Sequence, residues 1–101
     1  MPQFHRIAST SDIAPGTGKT VMLEGKTIAI FQVNGKFHAI NDTCPHQHGP
    51  LGEGTLDGTT VACPWHGWTF DLTTGKCGVS PTAKVEVYPT KVEGQSIFVE
   101  I

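Results

Sequence analysis

The apolar positions of this chain fall in short runs separated by turn-forming residues. Phe4 to Ala8 reads as a first strand, and Asp12-Ile13-Ala14-Pro15-Gly16 as a turn. Thr20 to Leu23 is short and extended, and Glu24-Gly25 turns the chain. Thr27 to Val33 is rich in Ile, Phe and Val and predicts a buried strand, because such side chains fit a covered pleated surface. Asn34-Gly35 is a strong hairpin signal, since both residues tolerate positive φ. Lys36 to Ile40 alternates polar and apolar as the return strand. Further on, Thr59 to Ala62 and Trp68 to Leu72 read as strands, with turns at Leu56-Asp57-Gly58 and Thr73-Thr74-Gly75. Lys84 to Val92 and Ser96 to Ile101 make a last pair around Glu93-Gly94. No segment keeps a 3.6-residue period over three turns, so the predicted class is all-β: a strand meander with a loop region inserted into it.

Composition agrees with short strands. The 101 residues make one small domain, and 12 Gly with 7 Pro would break long helices. The net charge of −2 and scattered Lys and Arg argue against a nucleic-acid partner. No apolar run approaches the ~18 residues of a membrane span, and the first residues hold no apolar stretch of a signal peptide. A cytoplasmic protein without a membrane partner is therefore expected. Three Cys cannot close a disulfide framework, and in a reducing compartment Cys and His together point to metal.

The chemistry concentrates between Asn41 and about Pro81, which holds all three Cys, both Trp and three of the five His. Two clusters stand out, Cys44-Pro45-His46 and Cys63-Pro64-Trp65-His66, with 16 residues between His46 and Cys63. A structural zinc ion would accept two Cys and two His. Zinc modules, however, usually pair like ligands at short spacing, whereas each loop here supplies one thiol and one imidazole. That split fits two metal atoms, one held by both Cys and one by both His, as when two His replace two Cys on one iron of a [2Fe–2S] centre.

In these residues the chain resembles the Rieske iron–sulfur proteins. Gly67-Trp68, Leu51, Gly52 and Gly54, then Phe70-Asp71, Thr74-Gly75 and Ser80-Pro81, extend the likeness over essentially the whole chain. The resemblance implies an antiparallel β-sandwich base, about residues 1–41 and 82–101, with a small inserted cluster-binding subdomain, about 42–81. It implies one [2Fe–2S] cluster, with Cys44 and Cys63 on the inner iron and His46 and His66 on the outer. Ser80-Pro81 would form a third loop over the cluster. His48, Gly49, Trp65, Gly67, Trp68, Phe70 and Pro81 would make up its surroundings. Cys44-x-x-x-His48 is sterically possible as a ligand pair, but the family pattern selects His46. Gly49, Gly52, Gly54 and Gly67 would let loop amides approach the sulfurs. Trp65 and Trp68 would either meet a partner or shield the cluster. Cys77 is expected to be a partly buried bystander, and His5 and His38 ordinary surface or edge residues.

Respiratory Rieske proteins carry a disulfide between the two loops, whose positions are Gly49 and Trp65 here. Their hydroxyl donors to cluster sulfur correspond to Trp68 and Phe70. Reduction adds negative charge, so losing donors lowers the potential, to the order of −150 mV. The chain thus looks like the Rieske ferredoxins of aromatic-ring oxygenase systems. That resemblance implies a one-electron carrier, not catalytic alone. Its donor would be a flavin-dependent NAD(P)H reductase and its acceptor a terminal oxygenase or other oxidoreductase. The alternative is a Rieske small subunit of a larger oxidoreductase such as a nitrite reductase.

Overall fold

The structure, a computed structural model, describes residues 3–43, 50–64, 67–79 and 83–101. Among the described residues, ten strands form three antiparallel sheets. The outer sheet joins β1 (Phe4–Ser9) to β10 (Ser96–Glu100) and β10 to β9 (Thr90–Glu93). The middle sheet runs β2 (Gly18–Leu23), β3 (Lys26–Val33), β4 (Lys36–Asn41) and β8 (Val87–Tyr88). The third is a meander of β5 (Thr55–Asp57), β6 (Thr60–Ala62) and β7 (Thr69–Asp71). Among the described residues, helix is confined to 3-10 turns at Thr10–Asp12 and Leu51–Glu53.

Strand β3 explains the layering. Its even positions Ile28 and Ile30 pack with Ile13, Ile97 and Val99 of the outer-sheet side. Its odd positions Ala29, Phe31 and Val33 pack with Leu51, Val61, Cys63, Phe70 and Leu72 on the other. A strand's side chains alternate between faces, so an unbroken apolar run is what a middle layer requires. Burying each such side chain contributes about 1.5–3 kcal/mol. The two cores are therefore back to back through one sheet.

The turns follow their residues. Asn34 and Gly35 have φ of 53° and 80°, both positive, as a tight I′-type hairpin demands. Glu24 and Gly25, at 52° and 77°, adopt the same conformation, which glutamate favours far less than asparagine.

Two expectations change. The run from Lys84 to Val92 is not one strand. Val85 N–H donates to Gly75 C=O (2.8 Å), Val87 pairs with Ile40, and Val92 pairs with Ile97. The segment changes sheets across Pro89, which has no N–H to donate to a ladder. The turn expected at Leu56-Asp57-Gly58 is instead the end of β5, and only Gly58, at φ 62°, turns.

Candidate metal centre

The two Cys-His motifs leave from equivalent places in the fold. The first follows β4. Asn41 Oδ1 accepts from Thr43 N–H (2.9 Å), Thr43 bridges Pro50, and Leu51 N–H donates to Asp42 C=O (2.7 Å). Cys44 therefore follows directly on the closed base of a loop. The second is the β6–β7 hairpin. Cys63 N–H donates to Trp68 C=O (2.7 Å) and Gly67 N–H to Cys63 C=O (2.9 Å). Gly67 has φ 73°, the left-handed conformation that glycine adopts without strain. Cys63 is buried beside Leu51 and Phe70, in the core shared with β3.

The chain between the motifs brings these bases together. After Leu51–Glu53, Gly54 N–H donates to Leu51 C=O (2.9 Å), and Thr55 pairs with Ala62, the neighbour of Cys63. Gly54 lies so close to the Ala62 carbonyl that a β-carbon there would overlap it. A third segment leaves from the same end. Gly78 N–H donates to Thr69 C=O (2.8 Å), and Cys77 N–H to Ala83 C=O (3.2 Å). Three loop bases, at Thr43/Pro50, Cys63/Trp68 and Cys77/Ala83, thus converge at one end of the third sheet.

The expected ligands divide as follows. Cys63 stands at one converging base. Cys44, His46 and His66 lie outside the described residues, as do His48, Gly49, Trp65 and Pro81. Trp68 is half-buried and packs on the core, and Phe70 is wholly inside it. Neither side chain has a hydroxyl to offer. Gly52 and Gly54 make close approaches to protein, Gly52 to Thr20 and Asp42 and Gly54 to Ala62. Cys77 is part-buried against the same core, and its Sγ accepts from Val79 N–H (3.4 Å).

Two titratable groups lie nearby on the framework. Thr73 hydroxyl and amide, with the Thr74 amide, donate to Asp71 and hold its carboxyl below the usual range. Burial first, then Lys36, pushes His38 below its ordinary value, with Asp71 pulling the other way.

Sequence reasoning passed over Asp42, the buried charged residue among those described, at 4% exposure. Its Oδ1 accepts from Thr20 Oγ1 (2.8 Å) and Gly52 N–H (2.7 Å). The available signal was its place two residues before Cys44, at the end of an apolar strand. An Asp before a loop reads as exposed by default, which hid it.

The donor set, soft thiols with imidazoles, suits an iron–sulfur group. A buried thiol at a convergence of loops also fits a group screened from water. The fold and the chemistry of these residues point to an all-β protein of the iron–sulfur class. The chain belongs to the Rieske [2Fe-2S] domain family, which residues 3–89 match. It is 40% identical over 98 residues to the ferredoxin component of the p-cumate 2,3-dioxygenase system of Pseudomonas putida, spanning 94% of this chain and 83% of that one. A ferredoxin solved in complex with the oxygenase of carbazole 1,9a-dioxygenase superposes with a TM-score of 0.86 at 36% identity, over 95% of this chain and 91% of that one. A structure assigned as the small subunit of an NADH-dependent nitrite reductase from Mycobacterium tuberculosis gives a TM-score of 0.92 at 25% identity, over 100% and 96%.

Proposed function

We propose that this chain is a ferredoxin component of an aromatic-ring dioxygenase system, carrying one electron at a time. The observation behind this reading is the convergence of the Cys63 base with the base that precedes Cys44, in a chain of ferredoxin size. Its relatives by sequence are such components, covered over most of their length. The cluster, when bound, accepts and releases a single electron. Cys44 and Cys63 hold one iron, and His46 and His66 the other. Residues 42–81 are the cluster-binding unit, and the outer and middle sheets are its base.

The protein's own residues then supply rigidity and a dry interior. Leu51, Phe70 and Cys63 seal the inner side of the site with apolar surface. Main-chain bonds at the loop bases restrain the geometry, which limits reorganisation between redox states. A flavin-dependent NAD(P)H reductase is the donor and a terminal oxygenase the acceptor, in the cytoplasm. Like the ferredoxin components that it resembles, the chain catalyses nothing alone.

The nitrite reductase reading is kept alive by one observation, the close superposition on that small subunit. Purification separates the two. A carrier is isolated alone and is reduced by NAD(P)H only when a flavin reductase is added. Stable isolation with a large catalytic subunit supports the alternative and contradicts the carrier.

A further inference from the structure

Asp42 ties three separate segments together. Its N–H donates to Thr27 C=O (3.0 Å) at the start of β3, and its C=O accepts from Leu51 N–H (2.7 Å) beyond the first ligand motif. Its carboxylate oxygen Oδ1 accepts from Thr20 on β2 and from Gly52 N–H. The fit is close enough that a β-carbon on Gly52 would stand 2.5 Å from Thr20 Oγ1 and 2.9 Å from Asp42 Oδ1. A buried carboxylate is costly to desolvate and persists where donors are arranged around it. These donors lie on both sides of the segment that carries Cys44 and His46.

We propose that Asp42 is a positioning residue for the metal group: its carboxylate, clamped by Thr20 and Gly52 N–H, fixes both ends of the first ligand loop. The inference rests on the Rieske reading and deepens it. Residues that orient a metal's ligands without touching the metal typically change affinity by about 10–100-fold when removed. The clamp acts in this way through the main chain on either side of the ligands.

The test uses the holoprotein and three variants: Asp42→Ala, Asp42→Asn and Thr20→Val. Asparagine keeps an oxygen that accepts both hydrogen bonds. Line widths of the reduced protein's EPR signal report the spread of cluster geometries, and the rate of iron loss to a chelator reports how firmly the loop holds. Asp42→Ala is expected to broaden the signal and release iron about tenfold faster. Thr20→Val is expected to move both readouts in the same direction by less, and Asp42→Asn to restore both nearly to wild type. Where Asp42→Ala fails to assemble, the other two variants decide on the same readouts. Lower melting temperatures with unchanged line widths and release rates overturn the proposal, as does an Asn variant no better than Ala. Absence of a Rieske signal from the wild type refutes the family reading instead.

Discussion

Two cysteines of this chain sit in the same core and have different consequences. Cys63 starts the β6–β7 loop, with its backbone bonded to both Gly67 and Trp68. Cys77 lies one strand away, bridging Phe70. Replacing Cys63 by Ser is expected to abolish bound iron and acid-labile sulfide, whereas Cys77→Ser keeps both. Iron and sulfide analysis of the two purified variants checks this. His38 gives a pH dependence. Burial and Lys36 keep it from protonating in the folded protein at its ordinary 6.5. The unfolded chain therefore binds the proton first as pH falls. This contribution to stability is complete above pH 6.5 and is lost as pH falls through the folded-state value. Urea unfolding from pH 8 to 5 is expected to show a drop that His38→Gln flattens. The residue types that suggest the chemistry stand out in the sequence because Cys-Pro-His and Cys-Pro-x-His occur as a pair. Asp42 was not, since its meaning depends on Thr20 and Gly52, far from it in sequence, being folded around it.

At the scale of elements, sequence pattern succeeded where a local signal was also the global answer. The Asn34-Gly35 turn and the β3–β4 register, Val33 opposite Lys36, are one such case. The apolar run of β3 announced burial, but not that its two faces serve different cores. The strand at Lys84 to Val92 failed for a related reason. Its pattern is continuous while its partners change from the Gly75–Lys76 segment after β7 to the middle sheet and then to the outer one. Pairing partners are tertiary facts that periodicity does not carry. The β2–β3 turn offers a check on turn chemistry. Glu24 holds positive φ at a position that asparagine adopts more readily. Glu24→Asn is expected to stabilise the fold by about 0.5 kcal/mol, since the distant His5 contact it gives up (3.8 Å) is a surface pair of small worth. Chemical denaturation of the two proteins measures the difference.

At the scale of the whole molecule, the three sheets act as a stand for the loops. The middle sheet is covered on both faces, and the end of the third sheet that holds Cys63 is joined to it through Leu51 and Phe31. Such a stand fits a carrier, whose centre has to reach a partner without the fold rearranging. The potential is set by the same framework. Trp68 packs on the core and Phe70 is inside it, so the two positions that could bear hydroxyl donors bear rings without a hydroxyl. Fewer donors leave the added electron less stabilised, which places the potential low in the Rieske range, on the order of −150 mV. A redox titration giving a value above about +100 mV would contradict that reasoning, since the range extends to about +300 mV.

The central claim is that two loops, one from β4 and one from the β6–β7 hairpin, jointly hold a [2Fe–2S] cluster through Cys44, His46, Cys63 and His66. The most direct measurement is the visible spectrum and EPR of the purified protein before and after anaerobic reduction. A coloured protein is expected, whose Rieske-type EPR signal arises on one-electron reduction, survives His48→Ala and is lost in His46→Ala. A colourless protein containing one zinc ion and no acid-labile sulfide would contradict it.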